Sequence, residues 1–254
     1  MKPELPGRAS RLSAAANTRF VLVRTSHPGN IGAAARAMRT MGFTGLDLVS
    51  PHRFPHPEAV ALASGAVAVL EDASVHGSLD EAVAECTLVL GATARNRLVR
   101  MPELDPGTAA EEAHRVIQCG GRIALVFGNE RNGLDNDEIA RCHAAIRIPS
   151  DPDFPSLNLA QAVQLLAWEL RKACVEPVAL ATGATRMAPA THAELEALFV
   201  HLEHTLEAID FHKGREPDTI LRRLRRLFLR AAPDSREVRI LHGILADVER
   251  TARG

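Results

Sequence analysis

The chain has 254 residues, 46% of them hydrophobic and 24% charged, with a formal net charge of -1. That balance is ordinary for a globular protein. It excludes a global field that would draw the chain to nucleic acid or membrane, so any basic surface must be local. Four cysteines, Cys86, Cys119, Cys142 and Cys174, lie far apart without a CxxC pair. This spacing argues against a zinc site and a disulfide framework, and fits a reducing compartment.

The opening "MKPELPGRASRLSAAANTR" lacks the apolar core of a signal peptide, and residues 1–17 read as a polar tail. No apolar run approaches the ~20 residues that span a bilayer. The expectation is a cytoplasmic protein. Short apolar runs then alternate with helical patterns. "FVLVR" from Phe20, "LDLVS" from Leu46, "TLVLGAT" from Thr87, "RIALVFG" from Arg122 and "AAIRIP" from Ala144 read as strands buried on both faces. Helical spacing covers Ile31–Met41, about Leu79–Glu85, about Ala109–Ile117 and Asn136–Cys142, then "SLNLAQAVQLLAWELRKA" from Ser156. The alternation predicts an α/β fold with a mainly parallel sheet flanked by helices, over residues 18–174.

Residues 175–190, rich in Pro, Gly and Thr without a period, read as a linker. A small α-helical domain is expected over 191–254. Thr191 and Glu194 carry a capping-box signature, and Leu195, Leu198, Leu202, Leu206 and Ile209 follow at helical spacing. "PDTILRRLRRLFLR" ends before Pro233, and "DSREVRILHGILADVER" places Val238, Leu241, Leu245 and Val248 on one face.

Ligands of open α/β sheets bind beyond the carboxyl ends of the strands, so three loops carry the interest. The first is "RTSHPGNIGAAARAMR". Asn30 reads as a helix cap whose free N–H groups favour an anion. Gly32, Arg36 and Arg39 share one face, with two guanidinium groups beside a small, approachable backbone. Solvated arginines are the bland alternative. The spacing is GxxGxxA, not the GxGxxG of a dinucleotide site, and no GK[ST] follows. The second loop is "VFGNERNGLDNDEI", where Gly128 and Gly133 bracket Asn129 and Glu130. That carboxylate pairs with an arginine, holds a ligand hydroxyl, or is solvated. The third is "PSDPDFPSLNLAQAV", extended through its prolines until Ser156. Ser156 reads as the N-cap of the long helix. Asn158 is a weak helix former, and its amide suits a ligand or a neighbouring loop.

Together and in this order, the three loops resemble the signature motifs of the SPOUT superfamily of RNA methyltransferases, in its TrmH-like 2′-O-ribose branch. Asn30 and Arg36 match the first motif, Gly128 and Glu130 the second, and Ser156, Leu157 and Asn158 the third. "TSHPGNIGAAARAM", "GATAR", "VFGNERNGL", "SLNLAQAVQ" and the C-terminal "LRRLRRLFLRAAPDSREVRILHGILADVER" are similar to the bacterial TrmJ group, from about Phe20 to the C-terminus.

The resemblance implies a trefoil knot in the C-terminal part of the catalytic domain, a homodimer, and S-adenosylmethionine as cofactor without a metal. The substrate would be tRNA, at the ribose of cytidine or uridine 32 in the anticodon loop. Thr93, Ala94, Gly128, Asn129, Ile148, Ser156 and Leu157 would contact the cofactor. Arg36 would face the acceptor ribose and its phosphate, with Asn30, Glu130 and Asn158 supporting the site and Ser156 near the transferred methyl. Arginine is a poor general base, since its pKa exceeds ~12, so orientation and electrostatic stabilisation of a developing alkoxide fit Arg36 better. Arg39 would join the RNA surface.

On the C-terminal helix, Arg222, Arg223, Arg225, Arg226 and Arg230 form either a solvated face or a surface for tRNA phosphates. Arg24 and Phe154 depart from the group, where glutamate and tyrosine are frequent. Three alternatives stay open. They are a related enzyme acting on rRNA or another tRNA position, a non-catalytic RNA-binding relative, and an oxidoreductase weakened by its glycine spacing.

Overall fold

The computed structural model describes residues 14–94, 101–175, 189–213 and 217–252. The chain divides into two compact units, Met1–Arg186 and Met187–Gly254.

The first unit is a seven-stranded sheet in the order β3-β2-β1-β6-β4-β7-β5. Its strands are β1 (Thr18–Val23), β2 (Leu46–Val49), β3 (Ser74–His76), β4 (Leu88–Ala92), β5 (Glu103–Leu104), β6 (Ile123–Phe127) and β7 (Ala144–Ile146). Every pairing is parallel, with Phe20 beside Leu46 and Leu22 beside Phe127. Because side chains alternate across a strand, the apolar runs feed two cores. Phe20, Leu22, Leu48, Leu90, Leu125 and Phe127 face one cluster. Val21, Val23, Val89, Ala124 and Val126 face the other. Helices cover both faces, as an all-parallel sheet requires.

The helices are α1 (Pro28–Thr40), α2 (Pro57–Ala63), α3 (Val67–Glu71), α4 (Leu79–Val83), α5 (Pro106–Gln118), α6 (Asn136–Arg141) and α7 (Leu159–Val175). The expected parallel α/β architecture is present. Four elements escaped the sequence pattern: β3, β5, α2 and α3. The two strands are short edge pieces of three and two residues with exposed or half-exposed side chains, so no apolar run marks them.

Gly32 is a correction. A Cβ there would lie 2.0 Å from the Ala59 carbonyl oxygen and 2.9 Å from the Ala63 nitrogen. The glycine lets α1 press against the backbone of α2, and offers no open approach to a ligand.

The second unit holds α8 (His192–Ala208), α9 (Pro217–Ala231) and α10 (Ser235–Ala252). Thr191 and Glu194 form the expected reciprocal capping box. Leu195, Leu198, Leu229 and Val238 are buried together with Ala190. Ile209 departs from the expected stripe, lying past the end of α8 and 39% exposed. Residues 176–188 of the expected linker, and 1–13 of the expected tail, lie outside the described residues. No described helix is long and apolar enough to cross a membrane.

Candidate functional site

The loops after β1, β6 and β7 meet beyond the carboxyl ends of neighbouring strands. The loop after β6 turns tightly. Gly133 adopts a left-handed φ of 67° and donates its N–H to the Asn129 carbonyl at 2.7 Å. A Cβ on Gly128 would meet the Leu134 nitrogen at 2.0 Å, so the chain closes on itself there. The Asn129 side chain fixes the loop from both ends. Its Oδ1 accepts from the Arg131 N–H at 2.8 Å, and its Nδ2 donates to the Arg24 carbonyl at 2.6 Å and to Ser26 Oγ at 2.7 Å.

This turn aims Glu130 at the start of α1. Its carboxylate accepts from the Ser26 N–H at 2.9 Å, the His27 N–H at 3.2 Å and Asn30 Nδ2 at 2.9 Å. Partial burial opposes ionisation, but the bonds from Asn30 and the backbone outweigh it and hold the carboxyl below its ordinary value. Two sequence expectations are corrected here. Asn30 is not the cap: α1 begins at Pro28 after His27, and Asn30 stands in the first turn. Nor is Glu130 simply solvated. The anion at this helix start is the protein's own carboxylate.

Asn30 also reaches the third motif, accepting at Oδ1 from Asn158 Nδ2 at 3.0 Å. Asn158, not Ser156, caps α7. Its Oδ1 accepts from the Ala160 N–H at 2.9 Å, and the Asn158 N–H donates to Gln161 Oε1 at 3.3 Å. One amide therefore serves a helix and a neighbouring loop at once.

Beside this chain of bonds lies a half-open pocket. Thr93, Ala94, Gly128, Asn129, Ile148, Ser156 and Leu157 all line it, with Glu130 at the same wall. Arg131, Asn132, Pro155 and Ala162 line it too and carried no signal in the sequence. Ile148, Leu157 and Ala162 give part of its lining an apolar character.

Arg36 does not line that cavity. It lies exposed in a shallow, adjoining groove between α1 and α7, with Ala33, Thr40, Gln161 and Leu165. Leu157 borders both spaces. Arg39 is exposed on α1, away from both linings. In the second unit, Arg222, Arg223 and Arg230 are exposed and Arg226 is half-buried. Arg225 is structural. It pairs with Glu196 and lies 4.7 Å over the Phe199 ring.

Residues 17–168 match the SpoU rRNA methylase family. The chain belongs to that family and, within it, to the TrmJ group. Residues 193–254 match the tRNA methyltransferase TrmJ C-terminal domain. The tRNA (cytidine/uridine/adenosine-2′-O-)-methyltransferase TrmJ of Pseudomonas aeruginosa is 46% identical over 244 residues, covering 93% of this chain and 95% of that protein. The tRNA (cytidine/uridine-2′-O-)-methyltransferase TrmJ of Klebsiella pneumoniae is 44% identical over 246 residues, covering 94% and 98%. The crystal structure of TrmJ from Z. mobilis ZM4 superposes with a TM-score of 0.80 at 38% identity, covering 91% of this chain and 99% of that one.

The loop at Arg24 is tied down as well. Arg24 has a left-handed φ of 50°, pairs with Glu138, and lies 3.3 Å from Asp135 Oδ2. These two acids form the capping box of α6. Arg24 thus ties the far end of the β6 loop to β1.

Proposed function

We propose that the protein methylates a ribose 2′-hydroxyl of tRNA with S-adenosylmethionine, at cytidine or uridine 32 of the anticodon loop. The observation that carries the reading is the bonded chain Glu130–Asn30–Asn158, which joins the three motifs between the cavity and the Arg36 groove. The names of the Pseudomonas and Klebsiella relatives support the reaction. The match of 193–254 to a tRNA methyltransferase domain favours tRNA over rRNA.

The cavity suits the cofactor. Its apolar lining suits an adenine ring, and Thr93, Ala94, Gly128, Asn129, Ile148, Ser156 and Leu157 would hold the cofactor. S-adenosylmethionine supplies an electrophilic methyl group. The chain's own residues do the rest. Arg36, in its adjoining groove, orients the ribose and its phosphate. Its fixed positive charge lowers the cost of negative charge growing on the 2′-oxygen as the proton leaves to water. Glu130 holds Asn30 and the start of α1 in place. With its oxygens engaged by three donors, it is a positioning residue and no base. Ser156, in the pocket lining, would lie near the transferred methyl. No step calls for a metal.

The reading includes a SPOUT trefoil knot in the catalytic domain, taken as 18–174, and a separate helical domain over 191–254. It places the enzyme in the cytoplasm. It also makes the enzyme a homodimer, supported by the stripe of Leu157, Leu165 and Trp168, each more than a third exposed on or just before α7. Arg36, Arg39, Arg222, Arg223 and Arg226 form its RNA surface.

The test is incubation of the purified protein with S-adenosylmethionine and unmodified tRNA or rRNA, followed by mass-spectrometric mapping of 2′-O-methyl nucleotides. Methylation at position 32 supports the reading. Methylation of neither RNA overturns it.

A further inference from the structure

Phe154 is the most exposed large apolar side chain among the described residues, at 80%. It is also held there. The Phe154 N–H donates to the Asp151 carbonyl at 3.1 Å, and the Asp153 N–H to Asp151 Oδ1 at 2.8 Å. Ser150 Oγ closes the turn by donating to the Pro155 carbonyl at 3.1 Å. Prolines 152 and 155 stiffen it further. The ring therefore stands in water on a pre-ordered turn, at little entropic cost when something stacks on it.

Its place in the chain limits what that something is. Pro155, Ser156 and Leu157, the next three residues, line the cavity, and Phe154 does not. The ring marks the rim. In a nucleotide the base hangs from the carbon next to the one bearing the 2′-hydroxyl. Once that hydroxyl is at the cavity, the base must lie within a residue or two of its wall. Asp151 and Asp153 flank the ring and are exposed. Their charges repel phosphate, so the ring is disposed toward a base and away from the RNA backbone.

We infer that Phe154 is the platform on which the target nucleobase stacks. The inference rests on the methyltransferase reading above. Every base has a π-face, so this contact tolerates different bases. It positions the nucleotide and leaves base choice to other groups.

The test uses the full-length protein and tRNA carrying pyrrolocytidine at the methylated position. Wild type and Phe154→Trp quench its fluorescence on binding, and Phe154→Ala does not. In Phe154→Ala, kcat/KM for tRNA falls about 5- to 160-fold, the range of base–aromatic stacking. The KM for S-adenosylmethionine stays unchanged, cytidine and uridine substrates fall by similar factors, and Phe154→Tyr restores the rate. Full quenching and normal kcat/KM in Phe154→Ala overturn the inference while the enzyme reading stands. So does a loss confined to one base, or a changed association state with quenching intact, which would make the ring a contact between copies. A wild-type protein that methylates no RNA overturns the enzyme reading itself.

Discussion

Asn30 donates from Nδ2 to Glu130 at 2.9 Å, across 100 residues of sequence, and so ties the first helix to the loop beyond the central strand. The same carboxylate takes two backbone N–H groups ahead of α1, the place where a phosphate would bind in a nucleotide loop. Glu130→Gln replaces one acceptor oxygen with a donor facing other donors. It is expected to destabilise the protein by about 1–3 kcal/mol, the cost of an unsatisfied polar group. The effect has a pH signature. Folding lowers this carboxyl below its ordinary value of 4.5, so its contribution is fully present above 4.5 and is lost as pH falls through the folded value. Calorimetry at several pH values should show wild type and Glu130→Gln converging in acid. A constant gap would refute the assignment.

Asn158 has two separable jobs, and two variants separate them. Asn158→Ala loses the α7 cap and the bond to Asn30. It should lower stability by about 1 kcal/mol, as cap removal does, and reduce methylation. Asn158→Asp keeps the cap oxygen and loses the donor. Its melting temperature should stay near wild type while kcat/KM drops, because a carboxylate now faces Asn30 Oδ1. Equal stability loss in both variants would show that the cap does not depend on Oδ1.

The strands and the long helices were legible because each parallel strand is buried on both faces and leaves a continuous apolar run, as in "RIALVFG". The three site loops were legible only as residue types. That Glu130 closes on Asn30, or that Gly32 faces the α2 backbone, depends on which distant segments meet, and local spacing carries no trace of it. Asn30 looked like a cap because asparagine before an apolar period usually is one. Pro28 after His27 gives the earlier start, through the preference of proline for the first helical position. Arg225 shared its sequence surroundings with Arg222 and Arg223, and only the position of Glu196 and Phe199 distinguishes it.

Arg36 lies in the groove and outside the cavity, which makes its kinetics specific. Arg36→Ala should cut kcat by about 10²- to 10³-fold, the scale seen when one preorganised stabilising group is removed. Binding of S-adenosylmethionine, measured by calorimetry, should be unaffected. Arg36→Lys keeps the charge and loses the planar fork, so it should recover only part of the rate. Near-normal turnover in the lysine variant would count against bidentate orientation. A large loss of cofactor affinity would place the residue in the wrong space.

The arginines of α9 should divide by partner. Arg225 pairs with Glu196 and covers Phe199. Arg225→Ala is therefore expected to cost about 1–2 kcal/mol in stability, from one cation–π contact and one partly buried pair. Arg222 and Arg223 are exposed, and Arg222 makes one bond from Nε to the Asp218 carbonyl. Changing both to alanine should leave the melting temperature close to wild type. If they contact phosphates, each neutralises one, and the slope of log K for tRNA against log salt should become shallower by about 0.7–0.9 per arginine. Filter binding over a salt series measures it. An unchanged slope would return these two residues to the solvated face of an amphipathic helix.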